Sequence, residues 1–350
     1  KPMKYKAAMK CDDKELWDEA VKEEYNKFVK YEVFKPVKRE DVPRNAKFVS
    51  TTWAMKRKSN GVRRARLNMR GYEQVEHIHY DPSSTAAPVT NDVTIRVMLT
   101  IAIMASWIAY IVDVKGAFLH GDFENEEEIY TEIPEGFEQW WDPAIWVWLL
   151  MKTSYGLIQA AVQFWKTLLK AMRYMKFKRS NADPCLYWKY SEKTGLIVWL
   201  SWVDDCCVIG NKSVVLESKE QLKSLFECED VGELTEYVGC KLDWNREAGT
   251  IKFTQPVQIR SFSDEFELPS KTFKTPAEPG KVLEPCEDGQ EVSAEEQSKF
   301  RSAVGKLLHM MRWSRPEIYN AVRECSRRMS KASPDHMKAV LRIMKYCTNK

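Results

Sequence analysis

The feature that most constrains the fold of this chain is a pair of adjacent acidic residues inside a long apolar run. The run, "GLIVWLSWVDDCCVIGN", extends from Gly195 to Asn211 and carries Asp204 and Asp205 near its centre. Burying ionised carboxylates is costly unless they are paired or bind a metal, and adjacent like charges also repel each other. The pair is explained by a tight turn between two strands, by protonation of the aspartates, or by a metal site.

A further acidic residue interrupts the apolar segment "WIAYIVDVKGAFLHGDF", where Asp113 precedes an apolar turn at 117–119. Neighbouring strands can bring Asp113, Asp204 and Asp205 close together, and divalent cations would then cancel their repulsion. Oxygen ligands favour Mg²⁺, with Mn²⁺ as a substitute. Two such ions about 3.5 to 4 Å apart support phosphoryl transfer. The three acids therefore predict nucleotidyl transfer or phosphodiester hydrolysis.

Composition limits the class of protein. With 350 residues, 44% of them hydrophobic, the chain can bury a core in two or three domains or subdomains. Its formal charge of +4 does not by itself indicate a nucleic-acid partner. The longest uncharged run, 97–112, is shorter than the roughly 18 to 20 residues that span a bilayer, so we expect no membrane partner. The nine cysteines show no pairing framework, which predicts free thiols and an intracellular, not secreted, protein.

Local patterns predict the organisation of the chain. Residues 12–31 have the apolar spacing of an amphipathic helix, and 47–74 predict a cationic hairpin around Ser59-Asn60-Gly61. Residues 153–178 predict a turn followed by a helix. The stretch 276–297 has seven acids against one lysine and is typical of a mobile linker. From Ser298 onward, 13 lysines and arginines against three acids predict a basic helical module.

Five motifs, in order, carry a resemblance to a known family. They are "RARLNMRGYEQ" (64–74), "DVKGAFLHGDFENEEEIYTEIPEGF" (113–137), "SYGLIQA" (154–160), "WVDD" (202–205), and "FRSAVGKLL" with "SRPEIYNAVRECSR" (300–327). Over nearly its whole length the chain resembles the reverse transcriptase of copia-type long-terminal-repeat retrotransposons. The resemblance implies an α+β right-hand polymerase, with an antiparallel palm sheet and its helices, β-rich fingers and a helical thumb.

The resemblance also implies boundaries within the chain. In order, they are an N-terminal helix with fingers (1–110), a first part of the palm (111–150), a helix between fingers and palm (151–180), a second part of the palm with the Asp-Asp hairpin (181–255), the start of the thumb with an acidic linker (256–297), and a basic helical thumb or connection module (298–350).

Roles for individual residues follow from the same resemblance. Asp113 and Asp204 would bind both catalytic metals, and Asp205 would support the cluster more peripherally. Arg64 and Arg66 lie in the fingers motif whose basic residues meet the triphosphate of the incoming nucleotide, and the motif does not say which of the two does so.

The substrate would meet three further groups of residues. Phe118 matches the aromatic residue that lies under the incoming sugar. Tyr155, Gly156 and Gln159 match a turn that packs against the nascent base pair and the template. The basic C-terminal helices would lie along the backbone of the primer and template, through Arg323, Arg327 and Arg328.

The function implied is that of a retrotransposon RNA-directed DNA polymerase, which adds deoxynucleoside triphosphates (dNTPs) to a primer on an RNA or DNA template. Integrase and RNase H, the other parts of a Pol polyprotein, are expected outside this chain. The implied location is a cytoplasmic particle with later nuclear entry.

Departures from the family pattern leave two alternatives open. Family members commonly have "YGLKQAPR", where this chain has Ile158, Ala161 and Val162, and commonly have a tyrosine at Trp202. Residues 84–89, "STAAPV", depart from "TFSPV". A catalytically decayed, nucleic-acid-binding relic is therefore one alternative. A metal-dependent nuclease is another, although no histidine or lysine is placed beside the acids as a hydrolytic base.

Overall fold

The computed structural model describes residues 3–58, 60–124 and 128–348, which form two compact units. One unit comprises Lys1–Met98 and Trp107–Glu233, and the other comprises Leu99–Ser106 and Leu234–Lys350. Helices and antiparallel strands are mixed in both, so the predicted α+β class is confirmed. Within the described ranges, no helix combines the length and the apolar character that crossing a bilayer requires.

The first part of the chain forms α1 (Tyr5–Ala8), α2 (Lys14–Lys30), β1 (Phe34–Lys38), β2 (Thr51–Arg57), β3 (Arg63–Met69) and α3 (Asp92–Met104). The predicted helix over 12–31 is α2, which buries Trp17, Val21 and Phe28. The predicted hairpin is β2 paired with β3, and Ser59 of its turn lies outside the described residues.

The central part forms β4 (Ile108–Val114), β5 (Tyr130–Glu132), β6 (Trp146–Leu150), α4 (Ala160–Tyr174), β7 (Lys178–Arg179), β8 (Leu186–Ser191), β9 (Gly195–Trp202), β10 (Asp205–Gly210), α5 (Lys212–Leu225) and β11 (Cys228–Glu233). The main sheet has the order β11-β4-β10-β9-β8-β7, and its neighbouring strands are antiparallel. A smaller sheet has the order β1-β6-β5. The predicted antiparallel palm sheet is thus present.

One face of the main sheet is covered by α4 and α5. Phe164 and Leu222, from these two helices, belong to one buried cluster with Val112, Trp199 and Val208 of the sheet. Because side chains alternate along a strand, Asp113 and Asp205 point to the opposite face. The packing of the helices therefore leaves the acids on the face that the helices do not cover.

The C-terminal unit contains β12 (Glu236–Tyr237), β13 (Cys240–Asn245), β14 (Thr250–Thr254), α6 (Pro256–Glu265), α7 (Ala294–Trp313), α8 (Tyr319–Ser326) and α9 (Pro334–Thr348). Its core includes Phe262, Phe300, Leu307 and Met344. Residues 234–255, which we predicted to belong to the palm, instead form a separate small sheet within this unit.

The acidic segment differs from the expected mobile linker. Helix α7 begins four residues before Ser298, because Ser293 and Glu296 form a reciprocal capping box that satisfies its first amide groups. The residues before it, 276–293, have no helix or strand but lie against the helical core, and we call them the acidic strap. Leu283 and Val292 of the strap pack on that core.

Candidate active site

The three predicted acids come together at the end of one hairpin. Asp205, the first residue of β10, lies directly opposite Asp113 of β4 and also pairs with Trp202 at the end of β9. Only Val203 and Asp204 therefore separate the two strands. The expected tight turn between two strands is therefore present, and it lies beside Asp113.

The turn itself is strained. Val203 has a φ of +56°, a left-handed conformation that a β-branched residue rarely adopts. The amide of Val114 donates a hydrogen bond of 3.0 Å to the carbonyl of Asp204. This bond ties the turn to β4, so the surrounding sheet holds Asp204 beside Asp113 in spite of the strain.

Repulsion among the acids outweighs the charges of the nearby cations Lys115 and Arg66. Burial raises the pKa of Asp113, and the charges of Asp204 and Glu229 raise it further. Burial, followed by the charges of Asp204 and Asp113, raises the pKa of Asp205 to about 6. In the part of the chain that the structure describes, none of the three aspartates forms an ion pair. Such a cluster fits a binding site for divalent cations.

The aspartates do not make a complete set of metal ligands by themselves. Among residues 3–58, 60–124 and 128–348, no three acidic, histidine or cysteine side chains are arranged to hold a metal ion by themselves. Mg²⁺ commonly takes one or two carboxylates and keeps water and substrate phosphates as its other ligands. The aspartates therefore suit a cation that arrives with a phosphate-bearing substrate.

Glu229 is an acid of this site that the sequence did not identify. It lies on β11, directly opposite Asp113 on the side away from Asp205. Strand β11, "CEDVGE", is mostly exposed and lacks an alternating apolar pattern. Its sequence therefore gives no signal of a strand, or of a position beside Asp113.

The structure distinguishes the two finger arginines. The guanidinium of Arg66 lies 4.9 Å from the centre of the Tyr155 ring, which is a cation–π distance. Its charge also acts to lower the pKa of Asp113, against the larger effect of burial. Arg64 lies two residues earlier on the same face of β3. Arg66 is thus the arginine placed beside both Tyr155 and the acids.

The turn that carries Tyr155 is fixed by a close approach of two backbones. The amide of Met69 donates to the carbonyl of Tyr155 over 2.7 Å. Gly156 follows with a φ of +91°, and a Cβ there would lie 2.1 Å from the carbonyl oxygen of Met69. Only glycine fits this position, so its role is to let Tyr155 sit against β3.

Phe118 lies in the same row of side chains. Its ring centre is 5.9 Å from that of Tyr155, with the planes at 74°, in an edge-to-face arrangement. Burial, followed by the charge of Glu24, raises the pKa of Tyr155 to about 12, and Asp204 and Asp113 also contribute. The predicted residues Asp113, Asp204, Arg66, Tyr155 and Phe118 therefore form one continuous site.

Gln159 does not face this site. It is buried, and its amide oxygen accepts a hydrogen bond of 2.9 Å from Gln74. Its amide nitrogen donates over 2.8 Å to the carbonyl of His79. The expected substrate contact is replaced by a positioning role, because the amide joins the fingers motif to the start of α4.

The three predicted nucleic-acid-binding arginines lie in the C-terminal unit and are not equivalent. The side chains of Arg323 and Arg327 are 56% and 62% exposed and both pair with Glu324. Arg328 instead donates two hydrogen bonds to the carbonyl of Leu283 in the acidic strap. Two of the three can meet a phosphate backbone, and the third anchors the strap.

The chain is similar to several known proteins. Residues 31–279 match the model of a family described as reverse transcriptase (RNA-dependent DNA polymerase). The chain is 30% identical, over 357 aligned residues, to the retrovirus-related Pol polyprotein from transposon TNT 1-94 of Nicotiana tabacum. It is 27% identical, over 311 residues, to the corresponding polyprotein from transposon RE1 of Arabidopsis thaliana.

These alignments cover 99% and 87% of this chain but only 26% and 20% of the two polyproteins. The chain thus spans about a quarter or less of the curated relatives it matches. Among solved structures, it is similar to a foamy viral protease-reverse transcriptase dRH in complex with ds DNA, with a TM-score of 0.47 and 9% identity. That alignment covers 95% of this chain and 48% of the viral chain.

Proposed function

The chain belongs to the reverse transcriptase (RNA-dependent DNA polymerase) family, and we propose that it extends a primer 3′-OH with dNTPs by two-metal nucleotidyl transfer. The observation that carries this proposal is the placement of Asp113 and Asp204 together, without an ion pair among the described residues, beside Arg66. The acids, through the divalent cations they would bind, and the guanidinium of Arg66 suit a triphosphate. The two aromatic rings of Phe118 and Tyr155 suit a sugar and a base.

Each side chain has a distinct part in the proposal. Asp113 and Asp204 would hold Mg²⁺, or Mn²⁺ in its place, and Asp205 would support them from β10. When bound, the cations would neutralise charge on the phosphate oxygens. The primer 3′-OH would lose its proton and attack the α-phosphorus of the dNTP, and pyrophosphate would leave as the new phosphodiester bond forms. Arg66 would bind the triphosphate, since a guanidinium presents several N–H donors to phosphate oxygens.

The aromatic residues would select and orient the nucleotide. Phe118 would lie against the C2′ edge of the sugar, where a ribonucleotide carries an extra hydroxyl. Tyr155, held by the backbone of Met69, would pack against the nascent base pair. Arg323 and Arg327 would contact the primer and template, which are RNA or DNA.

The relatives suggest a wider setting, which we also propose. The two plant relatives are named as Pol polyproteins. Integrase and RNase H would act as partners from other parts of such a polyprotein. The protein would work inside a cytoplasmic particle that later enters the nucleus.

Primer extension on poly(rA) with an oligo(dT) primer and dTTP tests the proposal against its alternatives. A polymerase lengthens the primer in Mg²⁺ or Mn²⁺, and a nuclease shortens it. A folded protein that binds the duplex without extending the primer is the decayed relic, an outcome that the loss of two cations at Ile158 and Val162 would explain. Either of the last two results would overturn the proposal.

A further inference from the structure

We propose that Tyr31 and Glu227 are positioning residues that hold the turn carrying Phe118, and that they thereby set the preference for deoxynucleotides over ribonucleotides. The inference rests on the proposed function, because it concerns the same nucleotide site. Neither residue belongs to the motifs that identified the chain. Both are distant in sequence from Phe118 and contact its turn only in the folded protein.

The turn between β4 and Phe118 depends on its first residues. Gly116 has a left-handed φ of +64°, and the amide of Leu119 donates to its carbonyl over 2.7 Å. Phe118 lies between these two residues, in a short 3₁₀ helix. Any shift in the backbone of Gly116 would therefore move the Phe118 ring.

Tyr31, the residue that follows α2, lies directly on this turn. A Cβ placed on Gly116 would be only 3.0 Å from the Cε2 atom of the Tyr31 ring. The ring of Tyr31 also lies 4.8 Å from the ring of His120, centre to centre. One aromatic ring thus contacts residues on both sides of Phe118.

Glu227 closes a loop of contacts around the turn. The hydroxyl of Tyr31 donates a hydrogen bond of 2.6 Å to the carboxylate of Glu227. The carbonyl of Glu227 in turn accepts a bond of 2.9 Å from the amide of Lys115, the residue before Gly116. Tyr31 is thereby fixed in place on the turn that it covers.

The opposite side of the turn is held by a buried residue. The hydroxyl of Thr153 donates to the carbonyl of Phe118 over 2.7 Å. With Thr153 on one side and Tyr31 on the other, the ring of Phe118 has its edge-to-face position against Tyr155. Loss of one support should let the ring move while leaving the acids in place.

The ion pair on Glu227 contributes little to overall stability. Lys30 also donates to the Glu227 carboxylate over 2.6 Å, but the side chains of this pair are 60% and 41% exposed. Exposed ion pairs stabilise proteins only weakly. Precise placement of Phe118 explains the arrangement better, because small displacements at a reacting site change rates strongly.

The test compares the kcat/KM for dUTP with that for UTP on one poly(rA) template. Tyr31→Leu removes the ring, Tyr31→Phe removes only the hydroxyl, and Glu227→Ala removes the acceptor. We expect Tyr31→Leu to lower the preference for dUTP by about tenfold, with the other two variants intermediate. Tyr25→Phe is the matched control, since Tyr25 also lies in α2 and its hydroxyl accepts a hydrogen bond from Trp141.

A double mutant separates positioning from general damage. If Tyr31 acts through Phe118, then Tyr31→Leu should not change the preference further in a Phe118→Val background. Equal losses for dUTP and UTP in the Tyr31→Leu single variant would overturn the inference and leave the proposed polymerase intact. An additional loss of preference in the double mutant would also overturn it.

Hydrogen exchange gives a readout that needs no activity. Tyr31→Leu should speed exchange of the Lys115 and Leu119 amides, and Tyr25→Phe should not. Unchanged exchange at both amides would overturn the inference. If the wild type fails to extend a primer, the proposed function fails, and the exchange result still decides whether Tyr31 holds the turn.

Discussion

Two groups of acidic residues in this molecule have opposite surroundings. In the active site, Asp113, Asp204 and Asp205 are half-buried and repel each other, without an ion pair in the described part of the chain. In the acidic strap, Glu278 pairs with Arg342, and Lys331 pairs with both Asp288 and Glu291. The same residue types therefore serve two purposes. Paired acids fasten a segment of chain, whereas unpaired ones are available to a ligand.

Removing a charge from the active site should have the largest effect on activity. Asp113→Asn and Asp204→Asn each remove a charge that the cations need, so we expect incorporation of dTTP to fall by about a hundredfold or more. Asp243→Asn is a matched control, because Asp243 lies on a strand and pairs with Lys241 far from these acids in sequence. Near-normal primer extension by either active-site variant would show that the unpaired acids are not needed by a ligand. The contrast with the paired acids of the strap would then have no functional meaning.

The strap should depend more on its backbone contacts than on its charges. Arg328→Gln removes two hydrogen bonds to the carbonyl of Leu283, and we expect a loss of about 1 to 2 kcal/mol in the free energy of unfolding. Urea denaturation followed by circular dichroism measures this loss. Arg327→Gln, a change at the exposed neighbour, should leave the unfolding midpoint nearly unchanged. Equal effects of the two changes would show that the strap is not anchored by Arg328.

The exposed arginines should act on nucleic acid instead. Phosphate contacts release counterions, so the affinity of the wild type for a primer-template should fall roughly tenfold or more between 50 and 200 mM salt. Arg323→Gln with Arg327→Gln should reduce the slope of log affinity against log salt by about one to two. Fluorescence anisotropy of a labelled duplex measures both slopes. An unchanged slope would mean that these side chains serve only their ion pairs with Glu324.

The sequence predicted the parts of the molecule whose signals are local. The apolar run around Asp204 predicted the β9-β10 hairpin, and the spacing of apolar residues predicted α2. The ordered motifs placed Asp113, Phe118 and Tyr155 in one site, and the structure does bring them together.

The remaining features depend on contacts between distant segments. Gln159 is buried because Gln74 and His79 use its amide, which no local pattern indicates. Glu229 reaches Asp113 only through the pairing of an exposed edge strand. The strap is held partly through its backbone carbonyls, and these are the same in every sequence. An acidic composition alone therefore could not distinguish a tethered strap from a free linker.

Neutralising Asp205 should stabilise the metal-free protein. Its folded-state pKa of about 6 lies above its ordinary value of 3.8, so the folded protein loses stability as the pH rises between these values. In EDTA at pH 7, Asp205→Asn should therefore raise the free energy of unfolding. We expect a gain of only about 1 kcal/mol, because solvent screens the charge of a half-buried group. The gain should vanish well below pH 3.8, where Asp205 is protonated in both the folded and the unfolded wild type. Urea titrations at several pH values measure it, and a loss of stability at pH 7 would contradict the account of mutual repulsion.

The same chemical change in the strap should have the opposite sign and the smallest size. Asp288→Asn removes one partner of Lys331, but Asp288 is fully exposed and Glu291 remains to pair with the lysine. Hydrogen bonds to these two acids raise the pKa of Lys331, so losing one acceptor should lower that pKa. We expect a small decrease in stability that disappears at high salt, because screening weakens exposed ion pairs. Matched urea titrations of Asp288→Asn and Asp205→Asn at pH 7 give the comparison directly. If both changes stabilised the protein, relief of general negative charge would explain them, and the distinction between paired and unpaired acids would be lost.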